Sequence, residues 1–140
     1  MSSRKKRAGG LVINNKSQIL LIFRKGSWDL PKGKVEQNET NASGAIRETA
    51  EETGLNHHKL TIKNSLITTT HLLKGKKIKT QWYLLKYNGK KKKLKPQKKE
   101  GISKCKWVNY SSLENYLPKI RTYAKEVFDF YLIDKGKIAS

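Results

Sequence analysis

The sequence predicts an α/β fold, an α/β/α sandwich in which a mixed β-sheet lies between helices. Three observations carry this prediction. Short apolar runs separated by turn residues are typical of strands, and residues 40–53 have helical character and stop at Gly54. Apolar side chains also recur at helical spacing over residues 120–132.

Five apolar runs of strand length, each bounded by turn residues, predict the strands of the sheet at residues 8–13, 18–23, 60–72, 78–87 and 103–108. The third and fourth flank the turn sequence KGKK and are expected to form a hairpin. Pro31 and Gly33 favour a constrained loop over residues 28–35. A lysine-rich loop is predicted over residues 88–101.

The helices are predicted from stop signals, caps and periodicity. Gly54 is a typical C-terminal stop for the helix at 40–53. Ser111 to Glu114 has the spacing of a capping box and predicts a short helix that ends before Pro118. The last helix is amphipathic and packs one face on the sheet through Ile120, Tyr123, Ala124, Val127, Phe128, Tyr131 and Leu132.

Length and composition bound the class of protein. A chain of 140 residues holds one domain of ordinary size, which we place at residues 8–134, after a basic, flexible arm at 1–7 and before a tail at 135–140. No apolar stretch approaches the ~20 residues that span a membrane. Cys105 is the only cysteine in the sequence, as is typical of a reducing compartment. We therefore expect a soluble cytoplasmic protein without a membrane partner, and the oligomeric state stays open.

Charge is unevenly distributed along the chain. The net charge of +20, from 31 Lys and Arg against 11 Asp and Glu, favours association with polyanions such as RNA. A general lysine bias would give the same charge, so the number alone names no partner. Six of the 11 acidic residues lie between positions 29 and 52: Asp29, Glu36, Glu39, Glu48, Glu51 and Glu52. We expect that segment to need them.

Three of these carboxylates share one side of the predicted helix. Residues advance by about 100° around a helix, so Glu48, Glu51 and Glu52 fall within a sector about 100° wide. Crowded like charges repel unless a cation lies among them, and oxygen ligands suit Mg²⁺. We expect this sector to be exposed, with Gly44 on the same side leaving room for a metal or a phosphate. An ordinary solvated acidic helix face is the alternative.

The spacing of these residues resembles a known motif. Gly33, Glu39 and the run RETAEETGL at 47–55 are similar to the Nudix box, Gly-x5-Glu-x7-Arg-Glu-U-x-Glu-Glu-x-Gly-U, where U is a bulky aliphatic residue. Thr49 stands where an aliphatic residue is usual, and Asn38 stands where many relatives have glycine. The resemblance implies a Nudix-type sandwich and a hydrolase that cleaves a diphosphate linkage with Mg²⁺, or with Mn²⁺ in its place.

The resemblance also implies roles for individual residues. Glu48 and Glu52 would be metal ligands, Glu51 a ligand or a base, and the Gly33 carbonyl would complete the metal shell. Arg47 would pair with Glu39 to orient the helix. Further along the chain, Glu100 stands where some relatives carry another carboxylate that binds metal or deprotonates water. The alternative for Glu100 is a single charge in a lysine-rich loop.

Positive side chains beside the box are candidates for binding the substrate phosphates. We assign this role to Arg24, Lys32 and Lys34, because phosphoryl transfer needs positioned cations. Trp28 either stacks on a base or anchors the loop in the core.

The substrate class is less sharply indicated. The sequence WDLPKGKVE resembles the loop of diadenosine tetraphosphate hydrolases, so dinucleoside polyphosphates lead and nucleoside triphosphates follow. The second hypothesis is an RNA-binding or decapping-like protein that uses the basic loops at 74–79 and 90–99. The length leaves no room for a second domain of the decapping kind, and few aromatic residues interrupt the lysine runs, so no stacking platform for single strands is evident.

Overall fold

In the described part of the chain, a seven-stranded mixed sheet forms the centre of the fold. The computed structural model describes residues 6–90 and 93–134. The strands are β1 (Arg7–Ile13), β2 (Gln18–Arg24), β3 (Ser27–Asp29), β4 (Lys32–Lys34), β5 (Leu60–Leu73), β6 (Lys76–Tyr87) and β7 (Ile102–Asn109). The α-helices are α1 (Asn41–Thr53) and α2 (Thr122–Asp134). Short 3-10 helices lie at His57–Lys59, Lys98–Glu100, Tyr110–Asn115 and Leu117–Lys119.

Strand β1 is the centre of the sheet. The strand order is β3-β2-β1-β6-β5, with β4 paired to β1 and β7 paired to β2. β1 runs parallel to β6, and the other pairs are antiparallel. β4 pairs with the first half of β1, where Gly33 lies opposite Ala8. The segment that contains Gly33 is therefore held at the middle of the sheet rather than at its edge.

Among the described residues, α1 packs on one face of the sheet and α2 on the other. Leu11 of β1 packs on the α2 side with Val127 and Phe128, whereas its neighbour Val12 packs on the α1 side with Leu85. This alternation follows from the two-residue period of side chains along a strand. Three layers result, and the predicted α/β class with a mixed sheet between helices is confirmed.

Two predictions about local structure were wrong. The loop predicted at 28–35 contains the short strands β3 and β4. Ser111 does not open a capped helix, because it lies inside the 3-10 helix Tyr110–Asn115, whose N-cap Asn109 makes no side-chain cap. The predicted short helix is nevertheless present and ends at Asn115, before Pro118, which lies in the next 3-10 helix.

The predicted arm and tail fall largely outside the described residues, which exclude 1–5 and 135–140. The end of the predicted arm belongs to the domain, since Arg7 begins β1 and the Lys6 carbonyl accepts a hydrogen bond from the Val35 N–H at 2.7 Å. In the part of the chain that the structure describes, neither helix has the length and apolar character needed to cross a lipid bilayer.

Candidate functional site

Local caps fix the position of the carboxylate helix α1. The Thr40 hydroxyl oxygen accepts a hydrogen bond from the Ser43 N–H at 3.0 Å at the N-terminus. At the other end Gly54 adopts φ 79° and its N–H donates to the Ala50 carbonyl at 2.9 Å, as the predicted stop requires. The carboxylates at 48, 51 and 52 therefore lie in the last two turns of the helix.

Gly33 of β4 lies directly against Glu48 of α1. A Cβ atom at Gly33 would lie 2.2 Å from the carboxyl carbon of Glu48, far closer than any real contact. Only glycine leaves room for this carboxylate beside the strand backbone. The pairing of β4 with β1 brings the two residues together.

Arg47 connects the helix to the loop before it. Its Nε and Nη2 atoms donate to the two carboxylate oxygens of Glu39 at 2.8 and 3.0 Å. Its Nη1 donates to Glu48 at 3.1 Å and to Glu51 at 3.2 Å, and its Nη2 also donates to the Lys34 carbonyl at 2.9 Å. The hydrogen bond to Glu39 contributes most to a raised pKa of Arg47. The expected Arg47–Glu39 pair is thus present.

We expect Arg47→Ala to lower the free energy of unfolding by about 2 kcal/mol, because it removes several charge-assisted hydrogen bonds and leaves carboxylates facing one another. Urea denaturation measures this value. Lys59→Ala, which removes an exposed cation just beyond α1, is the control and should stay within about 0.5 kcal/mol of the parent chain. An unchanged unfolding midpoint for Arg47→Ala would contradict this function of Arg47.

Glu52 is buried, and the expectation of an exposed carboxylate at this position was wrong. Only 2% of the residue is exposed. Arg24 of β2 donates to one carboxylate oxygen at 2.6 Å, and the Lys32 backbone N–H donates to the other at 3.1 Å. Burial nevertheless raises the pKa of Glu52 to about 7, against the attraction of Arg24 and Lys32, and the nearby Glu48 charge adds to the rise.

Glu100 lies close enough to the helix to affect it. It ends the 3-10 helix Lys98–Glu100 and is exposed. Burial raises the pKa of Glu48, and the negative charges of Glu51 and Glu100 add to that rise. Glu100 therefore lies within electrostatic reach of Glu48.

The segment before Glu100 is fastened to the end of α1. The Lys95 N–H donates to the Thr53 carbonyl at 2.8 Å, and the Gln97 N–H donates to the Glu52 carbonyl at 3.2 Å. The Cys105 thiol contacts the Glu52 carbonyl at 3.7 Å. Burial raises the pKa of this thiol to about 12, so Cys105 is a packed thiol rather than a reactive one.

The three candidate phosphate-binding cations have different surroundings. Arg24 is paired with Glu52, and Lys34 is exposed on β4. The ammonium of Lys32 is buried, 3.9 Å from a carboxylate oxygen of Asp29 and 5.4 Å from the ring centroid of Tyr123. The contacts of Asp29 and Tyr123 with Lys32 were not predicted from the sequence. A single Asp beside a tryptophan, and one tyrosine within an amphipathic pattern, carry no spacing signal for such contacts.

Packing contacts decide two further expectations, one about the space at Gly44 and one about the position of Trp28. A Cβ at Gly44 would lie 3.1 Å from Val35 and 3.2 Å from Glu39, so Gly44 is covered by the loop and offers no approach for a metal or phosphate. Trp28 packs edge-on against Phe23 and Tyr116, with ring centroids 4.9 and 5.0 Å away. These contacts match the anchoring interpretation of Trp28.

The donor set suits a hard divalent cation. Glu48, Glu51, Glu52 and Glu100 offer only oxygen ligands, and the room left by Gly33 receives the Glu48 carboxylate. Burial and mutual repulsion raise the pKa values of Glu48 and Glu52, as expected where a cation would relieve crowded charge. Among the described residues no three acidic, histidine or cysteine side chains are already grouped as ligands. The carboxylates face Arg24 and Arg47 instead and would turn from them to bind a metal.

The chain shares sequence with known proteins. The family model described as NUDIX domain matches residues 3–130. A Bacillus subtilis (strain 168) protein named provisionally as an 8-oxo-dGTP diphosphatase is 48% identical over 48 residues, 33% of this chain and 32% of the relative. The m7GpppN-mRNA hydrolase of Saccharomyces cerevisiae (strain ATCC 204508 / S288c) is 28% identical over 129 residues, 90% of this chain and 12% of the relative. The chain thus spans a minor part of either relative.

The fold is shared with solved structures. A C. elegans Ap4A hydrolase, solved as a binary complex, superposes with a TM-score of 0.76 at 21% identity, and the match covers 96% of this chain and 99% of that one. At this identity the likeness concerns the fold.

Proposed function

Since this chain belongs to the NUDIX domain family, we propose that it is a pyrophosphohydrolase that cleaves a diphosphate linkage of a nucleotide-type substrate with the help of a divalent metal, Mg²⁺ or Mn²⁺. One observation carries the proposal. The Glu48 carboxylate occupies the space that Gly33 leaves at β4, with Glu52 one turn further along α1 and Glu100 nearby. A solvated acidic helix face would need neither that glycine nor a buried Glu52.

Different side chains would have different roles in hydrolysis. Glu48 and Glu52 would hold the metal, with the Gly33 carbonyl beside them. A divalent ion supplies positive charge at the phosphate oxygens and promotes ionisation of water. Glu51 and Glu100 are the candidate proton acceptors, since both are exposed beside Glu48 and can meet an incoming water. Lys34 and Arg24 would stabilise negative charge on the departing phosphate.

Dinucleoside polyphosphates are our first substrate class and nucleoside triphosphates the second. The first rests on the resemblance of WDLPKGKVE to diadenosine tetraphosphate hydrolases, and the fold likeness to the C. elegans enzyme is consistent with it. The second draws on the Bacillus subtilis relative. Both classes carry several phosphates, which suits a chain with a net charge of +20.

Product release from a small panel tests the proposal. We expect Mg²⁺-dependent cleavage of one among diadenosine tetraphosphate, 8-oxo-dGTP, ADP-ribose, a diphosphoinositol polyphosphate and capped RNA. Chelation with EDTA should abolish cleavage, and added Mg²⁺ or Mn²⁺ should restore it. Chromatography of the products names the bond that is cut. Cleavage that survives complete chelation would contradict the assignment of the carboxylates as metal ligands.

Action on RNA is the second candidate, and two observations favour it. The yeast mRNA hydrolase aligns with 90% of this chain. Around β7 and the segment before it lie exposed lysines that could follow a phosphate backbone: Lys90, Lys93, Lys95, Lys98, Lys99, Lys104 and Lys106. Capped RNA in the panel decides between the candidates. Cap cleavage favours the decapping interpretation, and RNA retained at physiological salt without any hydrolysis favours a binding protein.

A further inference from the structure

Strand β5 forms one edge of the sheet and is open to a further strand. It is the last strand in the order β3-β2-β1-β6-β5, and β6 is its only strand partner among the described residues. Residues 64–73 contain no lysine, arginine, aspartate or glutamate, and this is the longest such run in a chain with a net charge of +20. Edge strands usually carry charges or proline that prevent pairing with another chain. Residues 64–73 lack both.

The last part of β5 is regular. Register shifts interrupt its ladder between Ile62 and Asn64 and between Ser65 and Thr68, and such bulges hinder pairing at an edge. From Thr68 onward each residue pairs in turn with one residue of β6, and the ladder ends with Leu73 opposite Lys76. We call residues 68–73 the edge segment. Its regular geometry suits antiparallel pairing with a second strand.

Two groups of apolar side chains are exposed near the edge segment. At the end of β5, Leu72 is 69% exposed and Leu73 is 45% exposed. On α2, Phe130 is 40% exposed and Ile133 is 45% exposed. Four of the five large hydrophobic side chains that are exposed in the described part of the chain thus belong to these two groups. Exposed apolar side chains that lie together mark interaction surfaces.

The fold places the exposed apolar side chains of α2 along the edge of β5. Tyr123, in the first turn of α2, lies 4.7 Å from His71, centroid to centroid. Phe130 follows Tyr123 by seven residues and therefore projects from nearly the same side of the helix. α2 continues over the core that contains Leu66, so it runs from His71 toward earlier residues of β5. Phe130 and Ile133 thus lie beside the edge, away from the turn that follows β5.

The two apolar groups are surrounded by charges of opposite sign. Beside Leu73, the turn and the start of β6 carry Lys74, Lys76, Lys77 and Lys79. None of these lysines forms an ion pair within the described residues, and neither does the exposed Glu126 of α2. Asp129 lies on the same helix and accepts a hydrogen bond from Lys125 at 2.8 Å. Surfaces of opposite charge favour each other, and a second copy of this chain supplies both.

We propose that two copies of this chain form a symmetric dimer, in which their edge segments pair antiparallel and join the two sheets into one. Leu73 comes two residues after His71 and therefore faces the α2 side. Lys76 lies directly opposite Leu73 and shares that face. A two-fold axis through the middle of the edge segment would bring Leu73 and Lys76 of each subunit to Phe130 and Glu126 of the partner subunit. This inference is independent of the proposed hydrolysis.

Sedimentation velocity of the full chain tests the dimer. We expect wild type to change from monomer to dimer between about 1 and 100 μM, since interfaces of ordinary size reach at least micromolar affinity. Thr70→Lys places two lysines near the two-fold axis and should leave the protein monomeric over this range. Thr61→Lys is the matched control, because Thr61 and Thr70 are both exposed and each lies opposite a lysine of β6. A wild-type monomer throughout, or a dimer that Thr70→Lys leaves intact, overturns the proposal.

An exchange of charges tests how the two subunits are arranged. Glu126→Lys should weaken dimerisation about tenfold, because it sets like charges against each other across the interface. Adding Lys76→Glu to that variant should restore the dissociation constant to within about threefold of the wild-type value. Both residues are exposed, so circular dichroism should give the same melting temperature for all variants. Failure of Lys76→Glu to restore the dimer would overturn the proposed contact between the turn and α2.

Discussion

Glu52→Gln is expected to reduce turnover by roughly 10²–10³-fold, the range seen when a group that supports charge in the transition state is removed. Glutamine keeps the size of the side chain, and its single amide oxygen can still accept one of the two hydrogen bonds that Arg24 and the Lys32 N–H donate to separate oxygens of Glu52. It cannot supply the negative charge that a divalent metal requires. The kcat with saturating Mg²⁺ measures the effect, and Glu114→Gln, an exposed glutamate on a 3-10 helix, is the control. Turnover like that of wild type would remove Glu52 from the metal site.

Glu52→Gln should keep its fold, and the pH dependence of its melting temperature tests the reason. Burial raises the pKa of Glu52 to about 7 in the metal-free protein, so ionisation of this group costs stability as pH rises from its ordinary value of 4.5 through about 7. Glutamine does not ionise. Above pH 7, metal-free Glu52→Gln should therefore melt at least as high as wild type, and a lower melting temperature there would show that the pairing with Arg24 outweighs burial.

Gly33→Ala is expected to reduce turnover about a hundredfold, because a ligand displaced by about an ångström loses roughly that much rate. The added Cβ would lie 2.2 Å from the Glu48 carboxyl carbon, so Glu48 must leave its position beside β4. Gly75→Ala is the matched comparison. Gly75 has φ 78° and open space around it, so alanine there should cost about 1 kcal/mol of stability and no turnover.

The two glycine variants should therefore separate two properties. Gly33→Ala changes kcat more than the melting temperature, and Gly75→Ala changes the melting temperature alone. A Gly33→Ala enzyme with unchanged kcat would mean that the close approach of β4 to Glu48 has no part in catalysis.

Local rules predicted the carboxylate helix well. The capping hydroxyl of Thr40 and the left-handed Gly54 act on neighbouring backbone groups, so a reader of the sequence can place both ends. The five long strands were also predicted, because their apolar runs are longer than those found in loops. The Arg47–Glu39 pair followed from resemblance alone, and its contacts are present.

Contacts between distant elements were not predictable in the same way. A helical wheel places Glu52 beside Glu48, but it cannot show that Arg24 and the backbone of Lys32 cover that carboxylate. β3 and β4 have three residues each, too few for a period, and they exist because β2 and β1 offer partners.

The contacts of the buried Lys32 side chain were missed for a related reason. Lys32 was interpreted as a candidate for binding substrate phosphates, but its contacts with Asp29 and Tyr123 join residues from separate elements and have no signal in the sequence. His71 sits in a threonine-rich strand, where nothing marks it. Only the sheet register and the docking of α2 bring these side chains around Asp29.

The fastening of residues 95 and 97 to the end of α1 has a consequence for how this chain can diverge. The Lys95 and Gln97 N–H groups donate to the Thr53 and Glu52 carbonyls. Because these hydrogen bonds fix residues 95 and 97, the loop between the end of β6 and Lys95 can gain or lose residues without moving the segment that follows Lys95. Between Gln97 and β7 the same freedom is absent, since each added residue would carry Glu100 away from Glu48. Length variation among relatives should therefore end at Lys95. Before this residue the loop tolerates insertions and deletions, whereas after it the number of residues is fixed by the position that Glu100 must keep relative to Glu48.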